Sequence, residues 1–179
     1  MGLEKVNQVV VSSDVAHVNL TGIDTNDVYL VAIRGMTSDN DGNQMRTRVL
    51  KGGGTSADTT SNYDLAGEEI KAHTSFGTLG RTNDNYWRAD FNTGNVAGEE
   101  LQMIMYLHNW YKSDEYSYLT FESSFLSTTN DFYANAGGMV HTVTSSSTGI
   151  QFYFGDAVNH LVGAGTFTLY KITGAWLIW

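Results

Sequence analysis

A chain of 179 residues with ten Lys and Arg against nineteen Asp and Glu carries a net charge of −9. That balance offers no cationic stripe to a phosphate backbone, so no nucleic-acid partner is expected. Cysteine and proline are both absent, which excludes disulfides and thiolate metal sites and leaves 19 glycines to make the turns. The first eleven residues lack a cationic start followed by an apolar stretch, and no run approaches the twenty apolar residues of a membrane helix. The expectation is a soluble protein made in a cytoplasm, with no membrane partner.

Strand periodicity dominates in chain order. Residues 27–35 are apolar on both faces, as a central strand requires. In residues 44–51, Met45, Thr47 and Val49 alternate with Gln44, Arg46 and Arg48. Residues 85–92 carry Tyr86, Trp87 and Phe91, and residues 100–108 set Leu101, Met103, Met105 and Leu107 on one side. Residues 116–125 oppose Leu119, Phe121 and Phe125 to Tyr118, Thr120 and Glu122. Strands at 138–144, 149–154 and 166–172 complete the series. The best helical candidate, residues 66–72, is barely two turns. Turn signals at 38–43, 52–54, 92–95 and 145–149 punctuate the strands at the spacing of an all-β protein. The expected fold is a single jelly-roll-like β-sandwich of roughly nine or ten strands over residues 1–172, with an apolar extension at 173–179.

Few residues combine into a recognisable chemistry. The acidic loop Asp39-Asn40-Asp41-Gly42-Asn43 resembles half a calcium loop, but it lacks a distal bidentate Glu, and Asp-Gly is itself a hairpin signal. The five histidines are scattered without metal-ligand spacing; His108 and His141 fall on expected strands, where a structural histidine is the plainer reading. Glu68-Glu69 and Glu99-Glu100 flank glycines and read as solvated loop edges rather than an acid–base pair. The run Gly52-Gly53-Gly54 is not followed by Lys-Ser/Thr, so it reads as a flexible surface connection, not a phosphate loop. No catalytic residue, metal site or cofactor is expected, and the chain is not expected to be an enzyme.

Aromatic residues are abundant, and two sets stand out as interface candidates. Trp176, Leu177, Ile178 and Trp179 form an apolar segment that needs a place to be buried. Trp110 and Tyr111, just before Lys112-Ser113-Asp114, are the aromatic pair expected to be most exposed. Both sets are expected to act as assembly anchors, with a sugar platform on a glycan-binding module as the alternative.

Several segments together resemble a family of tailed-phage virion proteins found in marine and cyanobacterial phages. They are Val18-Asn19-Leu20-Thr21-Gly22-Ile23, Val28-Tyr29-Leu30-Val31, Ser38-Asp39-Asn40-Asp41-Gly42 and the strand with Arg48. Asn62-Tyr63-Asp64, Gly149-Ile150-Gln151-Phe152 and the closing Gly165-Thr166-Phe167-Thr168-Leu169-Tyr170-Lys171-Ile172 continue the likeness over nearly the full length. The resemblance implies a non-enzymatic β-sandwich of the virion, made in the bacterial host cytoplasm. It would decorate or cement the capsid, or belong to the tail or its fibres. Its implied partners are the major capsid protein or other virion proteins, and further copies of itself in a homo-oligomer such as a trimer.

Overall fold

A computed structural model describes residues 2–54, 56–72, 76–88, 93–155 and 160–174. Among the described residues there are thirteen strands and no helix. In chain order they are β1 (Gly2–Val11), β2 (Val18–Thr21), β3 (Tyr29–Ser38), β4 (Met45–Lys51), β5 (Ser56–Ala57), β6 (Tyr63–Lys71) and β7 (Gly77–Asp84). There follow β8 (Trp87–Arg88), β9 (Leu101–His108), β10 (Ser117–Leu126), β11 (Phe132–His141), β12 (Gly149–Phe154) and β13 (Val162–Thr173). The all-β expectation stands, and the strand count exceeds it.

Two antiparallel sheets make the sandwich. The large one runs β1-β13-β3-β9-β10-β11-β6-β7; the small one runs β2-β12-β4-β5, with β8 also paired to β4. Between them lies one apolar cluster. Val31, Met105, Leu107, Phe121 and Phe167 come from the large sheet, and Leu20, Val49, Ile150 and Phe152 from the small one. The alternation read in β4, β9 and β10 is the cause: each strand turns a mainly apolar side inward, while the outward side carries Arg46 and Arg48 in β4, Ile104 and Tyr106 in β9 and Tyr118 in β10.

Four sequence expectations are corrected or narrowed. Residues 66–72 belong largely to β6, which is paired on both sides, to β11 and to β7; two ladders outweigh a weak local helical tendency. Residues 38–43 do not close a hairpin, because β3 and β4 lie in different sheets and this loop carries the chain between them. Asp39 Oδ1 accepts the amide of Leu161 at 2.7 Å, and Asn43 Nδ2 donates to Ser38 Oγ at 2.7 Å, so the loop's polar groups stitch that crossing together. Gly52-Gly53-Gly54 turns β4 back onto β5, with all three glycines at positive φ. Gly52 and Gly53 are exposed, as a surface connection requires, but Gly54 is buried against Thr21, so the run is anchored at its end. Of residues 85–92, those at 89–92 lie outside the described set, and among the described 85–88 the strand is confined to Trp87–Arg88.

One close approach depends on missing side chains. Gly67 of β6 and Gly137 of β11 are register partners on the inner face. A Cβ on Gly137 would lie 2.7 Å from the Gly67 Cα and 3.1 Å from the Phe121 ring. Gly137→Ala is therefore expected to cost about 1–3 kcal/mol, the usual penalty of overpacking a filled core. Urea unfolding would measure it, and a midpoint unchanged from wild type would contradict the contact.

Candidate functional site

The described residues hold one cluster of charged and aromatic groups that looks like chemistry. Asp58, between β5 and β6, accepts Lys51 Nζ at 2.6 Å and His141 Nε2 at 3.1 Å on one oxygen. Its other oxygen accepts the amide of Thr60 at 2.9 Å and the Thr60 hydroxyl. Burial alone would raise its carboxyl pKa. The hydrogen bonds from Lys51 and Thr60 outweigh that and hold it well below the usual carboxylate range. His141, fully buried, is pulled below the ordinary imidazole value by burial, with the Asp58 charge opposing. Because Asp58 is the acceptor, the neutral ring carries its proton on Nε2.

Around this pair the two sheets are clamped together. The Tyr63 hydroxyl donates to Asp58 O at 2.7 Å and accepts from the Val49 amide at 3.3 Å. Trp87 meets Tyr63 edge-on at 4.9 Å between ring centroids, and Trp110 lies 5.9 Å beyond it. An acid–base site needs a carboxylate or imidazole with a face open to substrate. Here both Asp58 oxygens are engaged and His141 has no exposed surface. The cluster ties the two sheets together and turns no open face of Asp58 or His141 to a substrate.

The remaining sequence candidates disperse. Glu69 pairs with Lys71 at 2.8 Å, while Glu99 and Glu100 accept the backbone amides of Val96 and Gly98 in their own turn. Among the described residues no three His, Asp or Glu side chains converge on a metal position. Trp110 is corrected outright: it is fully buried, and its indole donates to Gly149 O at 3.1 Å. Its neighbour Tyr111 is 38% exposed, so the pair does not form a surface patch. Trp176, Leu177, Ile178 and Trp179 lie outside the described residues.

What the sandwich leaves open is the outer face of its large sheet. Register places Tyr170, Leu30, Tyr106, Thr120 and Gly138 in one row across β13, β3, β9, β10 and β11. The next row on that face is Thr168, Ala32, Ile104, Glu122 and Ala136. Ile104, Tyr106 and Tyr118 are each more than 40% exposed. Small side chains along β11 leave hollows beside them. One of about 430 Å³ is bounded by Ile70, Ile104 and Ala134, and one of about 320 Å³ by Tyr106, Thr120 and Ala136. Such a face, apolar at its centre with Glu122 rising from it, is suited to protein contact.

No protein-family model matches the chain, and no curated protein matches it. Sequence periodicity places Ile104, Tyr106 and Tyr118 on the side opposite the core, and that much was readable. What it missed is their neighbours, because strand order decides which outward residues share a surface.

Proposed function

We propose that this chain is a non-enzymatic structural protein of a tailed-phage particle, in the first place a capsid decoration or cement protein. The observation that carries the reading is the exposed apolar face around Ile104 and Tyr118. The family resemblance of the sequence points the same way, and the engaged state of Asp58 and His141 argues against catalysis at that cluster. The mechanism is mass action. Each Å² of apolar surface buried on the shell contributes about 25 cal/mol, and the contact is repeated over many copies. The partner surface, on the major capsid protein, another virion protein or a further copy of this chain, would be apolar with a Lys or Arg facing Glu122.

Ile104→Lys tests this directly. Ile104 is 47% exposed, so the change should move stability by no more than about 0.5 kcal/mol. It should weaken co-sedimentation with purified capsids at least about tenfold, the scale of losing an interface anchor. Capsid binding equal to wild type would sink the proposal. Placement in the tail or its fibres is the related alternative, distinguished by which particle component the chain binds. A glycan-binding role keeps one specific support, the two outward tyrosines Tyr106 and Tyr118 on adjacent strands. Binding to a sugar array, lost on Tyr106→Ala while capsids are ignored, would decide for it.

A further inference from the structure

The end of the outer face nearest the close of β13 holds a hollow of about 660 Å³. Its walls are Leu3 of β1, Ile172 of β13, Leu30 of β3, Tyr106 and His108 of β9, and Val28 just before β3. That volume lies within the range of sites that enclose a ligand, and the walls are apolar apart from the Tyr106 hydroxyl and the His108 ring. Leu3, 58% exposed, stands at its edge opposite Ile172, its register partner.

We propose that the hollow is the docking site for residues 175–179 of this same chain. Three observations select that occupant. Ile172 is itself a wall, so the segment starts three residues from the site it would fill. Gly174 takes φ 142°, a conformation open to glycine, at a bend directly after β13. Two strand spacings, roughly 10 Å, separate β13 from β9 across β3, and five extended residues reach roughly 17 Å. The segment can therefore cross β3 and arrive at Tyr106 and His108.

Its chemistry fits the walls. Ala175, Trp176, Leu177, Ile178 and Trp179 bring no charged side chain, and each indole has one N–H to place. His108 and Tyr106 are the polar groups of the hollow able to accept it. A tether this short presents the segment at an effective concentration in the mM range, above that of any second copy in dilute solution. Own-chain docking thus covers one end of the outer face and leaves Ile104 and Tyr118 for partners. It is a property of the single copy and stands or falls apart from the virion role.

The test uses the full chain labelled with ¹⁵N and ¹³C. The Trp176 and Trp179 indole signals are assigned by their loss in Trp176→Phe and Trp179→Phe. The expected result is nuclear Overhauser contacts from these rings to the Leu30 methyls and the Tyr106 ring, independent of protein concentration. Leu30→Lys should abolish them. Leu3→Lys, at an exposed position that the fold does not depend on, should weaken them without unfolding the chain. The proposal is overturned if the contacts are absent in wild type or indifferent to both lysines. It is equally overturned if they appear only between labelled and unlabelled copies, since the occupant is then a neighbour's segment.

Discussion

Trp110→Ala will destabilise the fold by about 3–5 kcal/mol, the range for deleting a buried aromatic side chain. Trp110 is fully buried and sits beside Trp87, so its removal opens a cavity that strands on both sides hold apart. It also removes the donor to Gly149 O, where β12 begins between β2 and β4. A domain of this size is stable by about 5–15 kcal/mol, so the variant would sit near its folding threshold. Trp110→Phe keeps most of the ring and loses the N–H, and should cost about 1–3 kcal/mol. Tyr111→Ala, at an exposed site, should cost under about 1 kcal/mol. Urea midpoints at a common m-value would rank the three. An alanine variant as stable as wild type would mean the indole is not in the core. The ranking matters for function as well, because any loss of sugar or capsid binding in Trp110→Ala would be a loss of fold.

The contrast between Trp110 and Tyr106 marks how far the sequence was legible. Alternation placed Leu101, Met103, Met105 and Leu107 inward, and each is buried. The same alternation placed Leu119 and Phe121 inward and Tyr118 and Thr120 outward, as they stand. Periodicity works there because one side of each strand meets the core and the other does not. It fails where the chain leaves the ladder. Trp110 lies two residues beyond the end of β9, and the turn with Asn109 at φ 56° carries it into the core. It fails again where side chains are small. In β11, Ala134, Ala136 and Gly138 oppose Asn135 and Gly137, a pattern with almost no hydrophobic contrast. That half-strand was invisible, and so were the hollows its small residues create. β1 escaped because a shift between Lys5 and Asn7 breaks its alternation, and β7 because it is an edge strand with Leu79 as its buried apolar residue. The outer face is thus assembled from residues whose direction was readable and whose adjacency was not.

Acid will reach the Asp58–His141 pair in two steps, each lowering stability as pH falls. The folded His141 has a pKa below its ordinary value of about 6.5, chiefly because it is buried. Below that pH the unfolded chain takes up a proton that the native ring resists, so this stability is complete above about 6.5 and declines beneath it. Asp58 has its folded pKa held well below the ordinary 3.9 or so, where Lys51 and Thr60 outweigh the effect of burial. Its contribution is therefore intact above about pH 4 and is lost further down, as the unfolded chain protonates first. Each group adds a slope of up to about 1.4 kcal/mol per pH unit within its own window. The other histidines and carboxylates also titrate, so the informative quantity is the difference between wild type and variant. His141→Gln should remove the slope that begins near pH 6.5 and leave the lower one. Asp58→Asn should cost about 3–5 kcal/mol at pH 7, because Lys51 and His141 then face an amide in a buried site. It should also extend the histidine window to lower pH while its upper end stays near 6.5, since the attraction that favoured the imidazolium in the folded chain is gone. Denaturant titrations from pH 8 to 3 would separate these outcomes. Parallel curves for wild type and His141→Gln above pH 5 would show that His141 is protonated as readily in the folded chain as in the unfolded one.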